Sequence, residues 1–359
     1  MKQIPLLYES NVTSFSGNML CSLPDSLSCK VTEERNGEFY CEMSYPAYGM
    51  NANYIMVGRI LRVKAGFYLP ENQGFRITTI EKRLDGMMNI TAYHVSYDMS
   101  NIIVMPFTAH TAANAMSGMM SNCTPSNSFQ LAANGMGSGL FSVTQPTPMR
   151  SLLCGSEGSM VDTYGGDLMF NNWKTVLVQH RGYEKNVQIA YGKNLNDFKE
   201  TDEIASYDAV IPFAVYNDTT YYITDTNVCA TAPVVPSSST HGYPRTIAVD
   251  FSDKFTEAAP TDAELLAEAQ LYISKHTTSA EANISVGYLD LRKMLGVSEN
   301  ANIGDTIYLN VAPYRLSNIK VRVIRTVYDC LLDEYESIQV GDKKVTLADT
   351  LATLIGESS

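Results

Sequence analysis

The strongest constraint on the fold is a succession of short strand-like runs that alternate with turns rich in glycine, proline and asparagine. Within residues 1–103, these runs occupy 29–35, 38–45, 54–63, 75–84 and 89–97. Asn36-Gly37 separates the first two runs, and an Asn-Gly pair in that position is the strongest short-range signal of a β-hairpin. Strands at this spacing are typical of a barrel or a sandwich. The sequence therefore predicts an all-β domain over residues 1–103.

The pattern changes after Pro106, where apolar residues recur at helical spacing. We predict a helix over residues 108–120, with Thr108 or Thr111 as its N-cap. Its buried face should comprise Ala112, Ala115, Met116 and Met119. After a stretch dominated by glycine, serine and asparagine, a second short helix is predicted over residues 147–154.

Residues 151–195 carry the most informative local pattern. Gly165-Gly166 ends a short helix-prone piece, because glycine adopts left-handed or closely approached backbone at little cost. Strand-like runs follow at 167–170, 175–179 and 187–191, joined by polar turns. Together with the preceding helices, these runs predict an α+β domain over residues 104–207 that is inserted into the first β domain.

The remainder of the chain returns to strands and contains one clear helix. Runs at 209–216 and 221–225 are assigned to the first β domain as its second segment, about 208–245, which ends in a linker at 232–244. Thr261 and Glu264 have the spacing of a capping box, which predicts a helix over 261–275. Strand-like runs at 283–289, 305–311, 319–328 and 333–338 complete a second β domain, 246–359.

A weak internal repeat links the two predicted β domains. A glycine, a strand-like run, a polar loop and a second run occur over residues 58–80 and again over residues 304–324. This similarity predicts a tandem duplication of one β domain. In a trimer, a duplicated domain presents six similar modules around one axis, which suits docking onto a sixfold tube.

The seven cysteines are scattered without CxxC pairs, which argues against a disulfide framework. A two-residue turn at Asn36-Gly37 would place Thr32 opposite Cys41 and therefore Cys29 on the other face of the hairpin. A bridge between Cys29 and Cys41 is then disfavoured by geometry. We predict free, mostly buried thiols.

The formal net charge is −12, so the chain is a poor binder of nucleic-acid phosphates. An acidic wall suits a conduit through which DNA passes without being held, although simple solubility also accounts for the charge. No apolar run approaches the roughly 18 residues of a membrane-spanning helix. The N-terminus lacks the pattern of a signal peptide, so we expect synthesis and assembly in a cytoplasm.

Residues able to carry chemistry form no recognisable motif. Zinc-protease spacing is missing around all five histidines, which are His94, His110, His180, His241 and His276. A nucleophile pair of Cys123 or Cys154 with His110 or His180 stays open, although structural roles are favoured. His94 shares one strand phase with Ala92 and Ser96, opposite Tyr93, Val95 and Tyr97, and we predict it to be a satisfied strand residue rather than a base.

Metal and phosphate sites have no better support. The carboxylates Asp197, Glu200, Asp202 and Glu203 lack the order that a calcium loop needs. The glycine-rich run at 135–139 lacks the following lysine of a phosphate loop. We therefore predict no catalytic residue, no cofactor and no metal site. The 22 tyrosines favour intersubunit packing, since tyrosine suits strands and interfaces.

Four blocks of this sequence resemble one known family. They are EGSMVDTYGGDLMFNNW with HRGYEKNVQIAYGKNLNDFK (157–173 and 180–199), GFRITTIEKRLDG (74–86), AYHVSYDMSN (92–101) and the segment 322–350. In their order along the chain they resemble the phage minor structural protein N-terminal region, also called the prophage endopeptidase tail or tail-associated lysin family. The blocks cover almost the whole chain.

The resemblance implies a β-rich, multidomain α+β fold with two tandem β-barrel-like tube domains and an inserted α+β domain, as in a phage baseplate hub. It implies a homotrimer at the virion tail tip that caps or extends the tail tube and lines the DNA exit channel. Implied partners are the distal tail protein, the tape-measure protein, and receptor-binding or lysin proteins. The alternatives are a tail-associated peptidoglycan endopeptidase and a cell-wall saccharide-binding adhesin, although neither has a motif here.

Overall fold

The computed structural model describes residues 3–69, 71–156, 158–203, 209–236, 244–275, 281–288, 301–314 and 316–341. The protein is rich in β structure and has few helices, in agreement with the predicted class. Its strands are β1 Leu6–Tyr8, β2 Cys21–Ser22, β3 Ser28–Glu34, β4 Phe39–Pro46, β5 Ile60–Val63, β6 Gln73–Lys82, β7 Met87–His94, β8 Ile103–Val104, β9 Phe107–Thr111, β10 Cys123–Thr124, β11 Gln130–Asn134, β12 Ser138–Val143, β13 Thr147–Pro148, β14 Asp167–Asn171, β15 Lys174–Val178, β16 Glu184–Ala190, β17 Leu195–Glu203, β18 Ala209–Tyr216, β19 Thr219–Tyr222, β20 Val235–Pro236, β21 Thr246–Asp250, β22 Glu281–Tyr288, β23 Thr306–Val311, β24 Leu316–Asp329 and β25 Glu334–Val340. Its helices are α1 Ala112–Ser121, α2 Met149–Leu153, α3 Met160–Tyr164 and α4 Asp262–Lys275, with 3-10 turns at Ala52–Tyr54, Val95–Asn101, Ser252–Lys254 and Ala312–Tyr314.

The chain forms two compact units. The first contains residues 1–200 and 284–342, and the second contains residues 201–283 and 343–359. These units divide the chain differently from the predicted segments, because 208–245 lies in the unit of helix α4 rather than with residues 1–103. The reason is long-range pairing that a local pattern does not reveal: β18 runs parallel to β21. Part of the predicted linker, 237–243, lies outside the described residues.

The main sheet of the first unit is curled into a half-barrel. Its strand order is β17-β22-β25-β24-β3-β4-β7-β6-β5-β1-β2, with β23 on β24 and β16 on β23. Strand β24 pairs with β3, so strands from the two predicted β domains meet in one continuous sheet. Residues on one face of these strands, among them Phe39, Met43 and Phe75, are buried in one large hydrophobic core.

The inserted region packs helices and small sheets against this core. Helix α1 begins after its N-cap Thr111, whose hydroxyl accepts the Asn114 N–H at 3.2 Å. The predicted apolar face is confirmed, since its buried residues are Ala112, Ala115, Met116 and Met119. Hairpin β14–β15 is extended by β11, which pairs in parallel with β15.

The second unit packs helix α4 against the sheet formed by β18 to β21. The predicted capping box is confirmed: Thr261 N–H donates to the Glu264 carboxylate at 2.8 Å, and Glu264 N–H donates to the Thr261 hydroxyl at 3.4 Å. Leu265, Ala269 and Tyr272 bury the apolar face of the helix. Among the described residues, the core of this unit is therefore small, and helix α4 contributes a large part of it.

The register predicted for hairpin β3–β4 is wrong by one residue. Val31 lies opposite Cys41 and Cys29 opposite Met43, because the connection at 35–37 has three residues rather than two. Asn36 takes a left-handed backbone there, with φ of 54°. A shift of one residue moves a side chain to the other face of a strand, so Cys29 and Cys41 share the buried face. Their sulfur atoms are 3.7 Å apart, and both are free thiols.

Two four-strand segments, here called the meanders, have the same strand order, and their second and third strands pair in the same register. In β4-β5-β6-β7, strand β7 pairs back onto β4, and in β22-β23-β24-β25, strand β25 pairs back onto β22. Ile60 lies opposite Arg76, and Thr306 lies opposite Arg322. Gly58 is as far from Arg76 in the sequence as Gly304 is from Arg322, whereas the two segments compared in the sequence analysis, 58–80 and 304–324, differ in length.

Identical backbone contacts accompany this topology. Gly58 N–H donates to Ile77 C=O at 2.8 Å, and Gly304 N–H donates to Val323 C=O at 2.8 Å. Both glycines have positive φ, 88° and 86°. The carbonyl of each glycine also accepts a guanidinium N–H, from Arg76 at 2.7 Å in the first copy and from Arg322 at 3.1 Å in the second.

Candidate interaction surface and the clamped hairpin

Hairpin β14–β15 is held at one end by a buried carboxylate. The Asp167 side chain is almost fully buried and accepts hydrogen bonds from Arg35 at 2.6 Å and from Arg322 at 2.5 Å. Arg35 donates to Oδ1 of Asp167, whereas Oδ2 accepts both the Arg322 guanidinium and, at 2.5 Å, the backbone N–H of Arg181. Burial alone would raise the pKa of Asp167, but Arg35, the Arg181 N–H and Arg322 outweigh that effect and hold the pKa below its usual value. Asp167 therefore stays ionised and joins β14 to strand β24.

A second buried ion pair lies beside the first. The Arg181 guanidinium is 2.6 Å from the Glu33 carboxylate, and only 2% and 4% of these side chains are exposed. Glu33 occupies the core-facing phase of β3, where an apolar residue would normally lie. The Arg181 carbonyl accepts an N–H from Arg322 at 3.0 Å. The pair thus links the segment after β15 to both β3 and β24.

Two glycines allow the backbones to approach at this point. A Cβ on Gly182 would lie 2.4 Å from the Asp305 nitrogen, and a Cβ on Gly304 would lie 2.3 Å from the Arg181 oxygen. The buried Asp305 carboxylate accepts the Tyr183 N–H at 2.9 Å and pairs with Lys185 at 2.8 Å. Glycine at positions 182 and 304 is therefore required by the close approach of the two backbones.

The other end of the hairpin is held by neutral hydrogen bonds. Asn172, in the turn between β14 and β15, accepts the Gly74 N–H at 2.8 Å, and its own N–H donates to Gln73 Oε1 at 2.8 Å. Gln73 Nε2 donates to Asn171 Oδ1 at 3.0 Å. Near the start of β14, Asn36 donates to Gly166 C=O at 2.9 Å and accepts the Leu168 N–H at 2.7 Å. Strand β14 is thus clamped at both ends against the main sheet.

His94 belongs to the same network and is fully buried. Its Nδ1 accepts the Ser96 N–H at 3.2 Å, which leaves Nε2–H to donate to Gln73 Oε1 at 3.3 Å. The ring stacks on Phe39 with centroids 4.4 Å apart. Burial, with the nearby Arg150 charge, holds the pKa of His94 well below its usual value. His94 is a satisfied neutral strand residue, as the alternation predicted.

The other residues considered for chemistry do not come together. Cys123 donates to Met120 C=O at 3.3 Å, and Cys154 accepts an N–H from Arg150 at 3.8 Å. Within the described residues, neither thiol has an imidazole as hydrogen-bond partner, which a nucleophile pair would require. The side chains of Glu200, Asp202 and Glu203 lie outside the described residues, as do His241 and His276. Within the described part of the chain, no cluster of His, Cys, Asp and Glu side chains is arranged to hold a metal ion.

Three thiols form a buried cluster that the sequence did not predict. Cys29, Cys41 and Cys330 are all buried in the large core. Their proximity follows from the hairpin register and from the pairing of β24 with β3. The hydrogen bond between Cys41 and Cys29, together with burial, raises the pKa of Cys41. Burial also raises the pKa of Cys330. These two groups therefore remain protonated and poorly reactive.

One end of the main sheet carries exposed apolar side chains on three adjoining loops. They are Leu27 (66% exposed), Tyr48 (86%), Met50 (62%) and Leu84, which is fully exposed. Met50 N–H donates to Asp25 at 2.6 Å, and Ala47 N–H donates to Gly86 C=O at 2.8 Å, so hydrogen bonds join the three loops. Exposed apolar groups that cluster in this way typically mark an interaction site. We call these four residues the loop patch.

No helix in the described part of the chain is long and apolar enough to cross a membrane. Protein-family models give no match to this sequence, and no curated protein matches it. Solved structures do match, over nearly the whole chain.

The prophage tail protein gp18 from Listeria monocytogenes is 12% identical, with a TM-score of 0.58 and 99% of each chain covered. The 43 kDa tail protein of prophage MuSo2 from Shewanella oneidensis is 11% identical, with a TM-score of 0.61, covering 97% of this chain and 98% of that one. The tail protein from Neisseria meningitidis is 8% identical, with a TM-score of 0.56 and the same coverage. The fold is that of prophage tail proteins. The resemblance read from the sequence is confirmed at this level, and membership of the endopeptidase tail family stays a prediction.

Sequence reasoning identified residues 151–195 as central but missed the charged network that makes them so. One signal was present: Glu33 lies in the same strand phase as the buried Cys29 and Val31. A charged residue in a core-facing phase requires a buried partner. The identity of that partner, Arg181, depends on tertiary contacts between residues 148 positions apart.

Proposed function

We propose that this protein is a structural component of a phage or prophage tail, and specifically a hub at the tail tip that assembles as a homotrimer. The observation that carries the proposal is the shared fold with three prophage tail proteins over 97–99% of the chain. Hairpin β14–β15 and the segment after it support a mechanical role, because their buried ion pairs and close backbone contacts join them to strands β3 and β24. Among the described residues, the Ser96 hydroxyl lies 3.0 Å from the His94 imidazole, but both side chains are fully buried and open to no substrate.

The repeated meander supports the hub architecture. We infer that β4–β7 and β22–β25 descend from one duplicated module, since topology, register, glycine and arginine correspond. Three chains would then place six similar modules around an axis, which suits a transition from a sixfold tube to a threefold tip. The predicted division into two barrel-like tube domains and an insertion belongs to this proposal.

The loop patch is the surface that we propose for self-association. Burying a large apolar side chain such as leucine or methionine contributes about 1.5–3 kcal/mol, so the four residues of the loop patch are a substantial driving force in each subunit. The partners in the tail would be the distal tail protein and the tape-measure protein, with receptor-binding or lysin proteins attached outside. DNA would pass an acidic wall without specific binding.

Analytical ultracentrifugation over a wide concentration range tests the proposal, with and without the distal tail protein of the same phage. We expect a trimer that becomes monomer, or at least about tenfold weaker, in the double variant Tyr48→Ser with Leu84→Asp. Tyr191→Ser, at a similarly exposed tyrosine on another segment, is the matched control and should leave the trimer intact. A chain that stays monomeric even with its partner would overturn the trimer.

The endopeptidase alternative has its own test. A zymogram with bacterial cell walls should give no clearing band for the wild-type chain. Clearing that is lost in Cys154→Ser or Cys123→Ser would instead establish an enzyme and refute the purely structural role. Binding to purified cell-wall polysaccharide would favour the adhesin.

A further inference from the structure

The sequence contains two Asn-Gly pairs, and the structure places them in opposite environments. In an Asn-Gly pair the following nitrogen meets no side chain, so it can attack the asparagine amide carbon more easily than in other sequences. The first pair, Asn36-Gly37, lies between β3 and β4. The second, Asn134-Gly135, ends strand β11.

Asn36 is restrained on every side. Its amide donates to Gly166 C=O at 2.9 Å and accepts the Leu168 N–H at 2.7 Å. The Gly37 nitrogen, which would be the nucleophile, already donates to Glu34 C=O at 3.2 Å, and the Gly37 carbonyl accepts from Arg150 at 3.3 Å. Reaching the cyclic intermediate would break all of these contacts.

Asn134 is not restrained in this way. The Asn134 side chain is exposed. Among the described residues, neither its side-chain amide nor the backbone N–H of Gly135 takes part in a hydrogen bond. Gly135 has φ of 68°, with no atom within 4 Å of a Cβ built on it, and Gly137 is equally open. The loop after β11 therefore has room to rearrange.

We propose that Asn134 is a site of spontaneous deamidation and isoaspartate formation in the native protein, whereas the fold protects Asn36. The Gly135 nitrogen attacks Asn134 Cγ, the C–N bond of the amide breaks, and ammonia leaves with the proton from the Gly135 nitrogen. Water then opens the succinimide at either carbonyl, which gives aspartate or isoaspartate. The net reaction consumes one water, releases one ammonia, and requires no oxidant or reductant.

The modification has a physical consequence at the clamped hairpin. Both products add one negative charge, and isoaspartate also adds one methylene to the main chain. Met136, two residues on, packs beside Gly166, since its Cε would lie 2.9 Å from a Cβ at that glycine. A longer backbone at position 134 therefore displaces a side chain that covers the start of β14.

Peptide mapping of the full chain after incubation at mildly alkaline pH tests the proposal. Trypsin places Asn36 and Asn134 in different peptides, 36–59 and 84–150, and fragmentation identifies the converted residue. In the folded protein we expect conversion at Asn134 to be at least about tenfold faster than at Asn36. In denaturant with reductant the two rates should become comparable, because the contacts of Asn36 are lost.

The variant Asn134→Gln supplies the second measurement. It should remove the acidic charge isoform that accumulates in the folded wild type while leaving the denatured-state conversion of Asn36 unchanged. Equal conversion of Asn36 and Asn134 in the folded protein would overturn the proposal. An intact Asn134 in folded protein, under conditions where the denatured chain converts, would overturn it as well.

Discussion

The buried pair Arg181–Glu33 allows burial and distance to be separated. Lys30–Glu336 is also an ion pair at 2.6 Å, but its side chains are 38% and 48% exposed. At an effective dielectric constant of about 20, two unit charges at this separation attract by roughly 6 kcal/mol, and in bulk water by roughly 1.6 kcal/mol. The same distance therefore predicts different energies at the two sites.

Desolvation reduces both values. Breaking a buried pair by removing one partner typically costs about 3–5 kcal/mol, because the remaining charge stays buried. An exposed pair contributes about 0–1 kcal/mol. We expect Arg181→Met or Glu33→Gln to lower the free energy of unfolding by about 3–5 kcal/mol each, and Lys30→Met by less than about 1 kcal/mol.

The double variant is the decisive measurement. Arg181→Met with Glu33→Gln removes both charges, so its cost should fall below the sum of the single costs by about 2 kcal/mol or more. Urea denaturation followed by far-UV circular dichroism measures these values, with the transition of the second unit separated by its own probe. Additive single costs, or a Lys30→Met cost as large as that of Arg181→Met, would refute the reasoning.

Three further predictions follow from single contacts. Gly182→Ala should prevent stable folding, because the added Cβ would lie 2.4 Å from backbone atoms. Gly192 has a similar φ of 80° but no atom within 4 Å of such a Cβ, so Gly192→Ala should lower the free energy of unfolding by only about 1–2 kcal/mol. Thermal denaturation of both variants measures the difference. The pKa of His94 is held low in the folded protein, so below about pH 6.5 only the unfolded chain takes up a proton at this residue. The free energy of unfolding should therefore be at its full value above that pH and fall by about 1.4 kcal/mol per pH unit below it. Urea titrations at several pH values measure this slope, which His94→Gln should flatten. Thr261→Ala removes the N-cap of α4 and should destabilise the second unit by about 1 kcal/mol in hydrogen exchange of the helix amides, while Thr261→Ser should be close to neutral.

Local signals predicted what local contacts determine. The α1 N-cap and the α4 capping box each depend on residues within a few positions, and each is confirmed. The hairpin register was wrong because Asn-Gly is compatible with both two- and three-residue connections. A two-residue type I′ turn needs positive φ at both residues, and here Asn36 has positive φ whereas Gly37 does not. The extra residue in the connection decides which face Cys29 occupies.

Long-range features were beyond a local reading. The unit boundaries depend on β18 pairing in parallel with β21, whose partner residues lie 37 positions apart, as in Ala209 opposite Thr246. Likewise, Asp167 meets Arg35 and Arg322 across 132 and 155 positions. Alternation of apolar residues indicates that a strand exists, but it contains no information about which distant strand it joins.

The two meanders differ in one informative way. Arg76 and Arg322 occupy equivalent positions, and each donates to the carbonyl of its equivalent glycine. Arg76 pairs with Asp98, which follows its own meander by a few residues, at 2.7 Å. Arg322 pairs instead with Asp167, at the start of hairpin β14–β15.

The equivalent arginine therefore has a different carboxylate partner in each copy. If the two modules descend from one ancestor, the local pair Arg76–Asp98 is sufficient for the first meander. In the second meander, Arg322 instead binds Asp167 and so joins hairpin β14–β15 to the main sheet. Arg322→Gln should then loosen β14 and expose its amides to hydrogen exchange, while Arg76→Gln should affect the 3-10 turn that contains Asp98 and the loops at Ser10 and Gly58, and leave β14 protected. Equal loss of protection in β14 from both variants would contradict this division of roles.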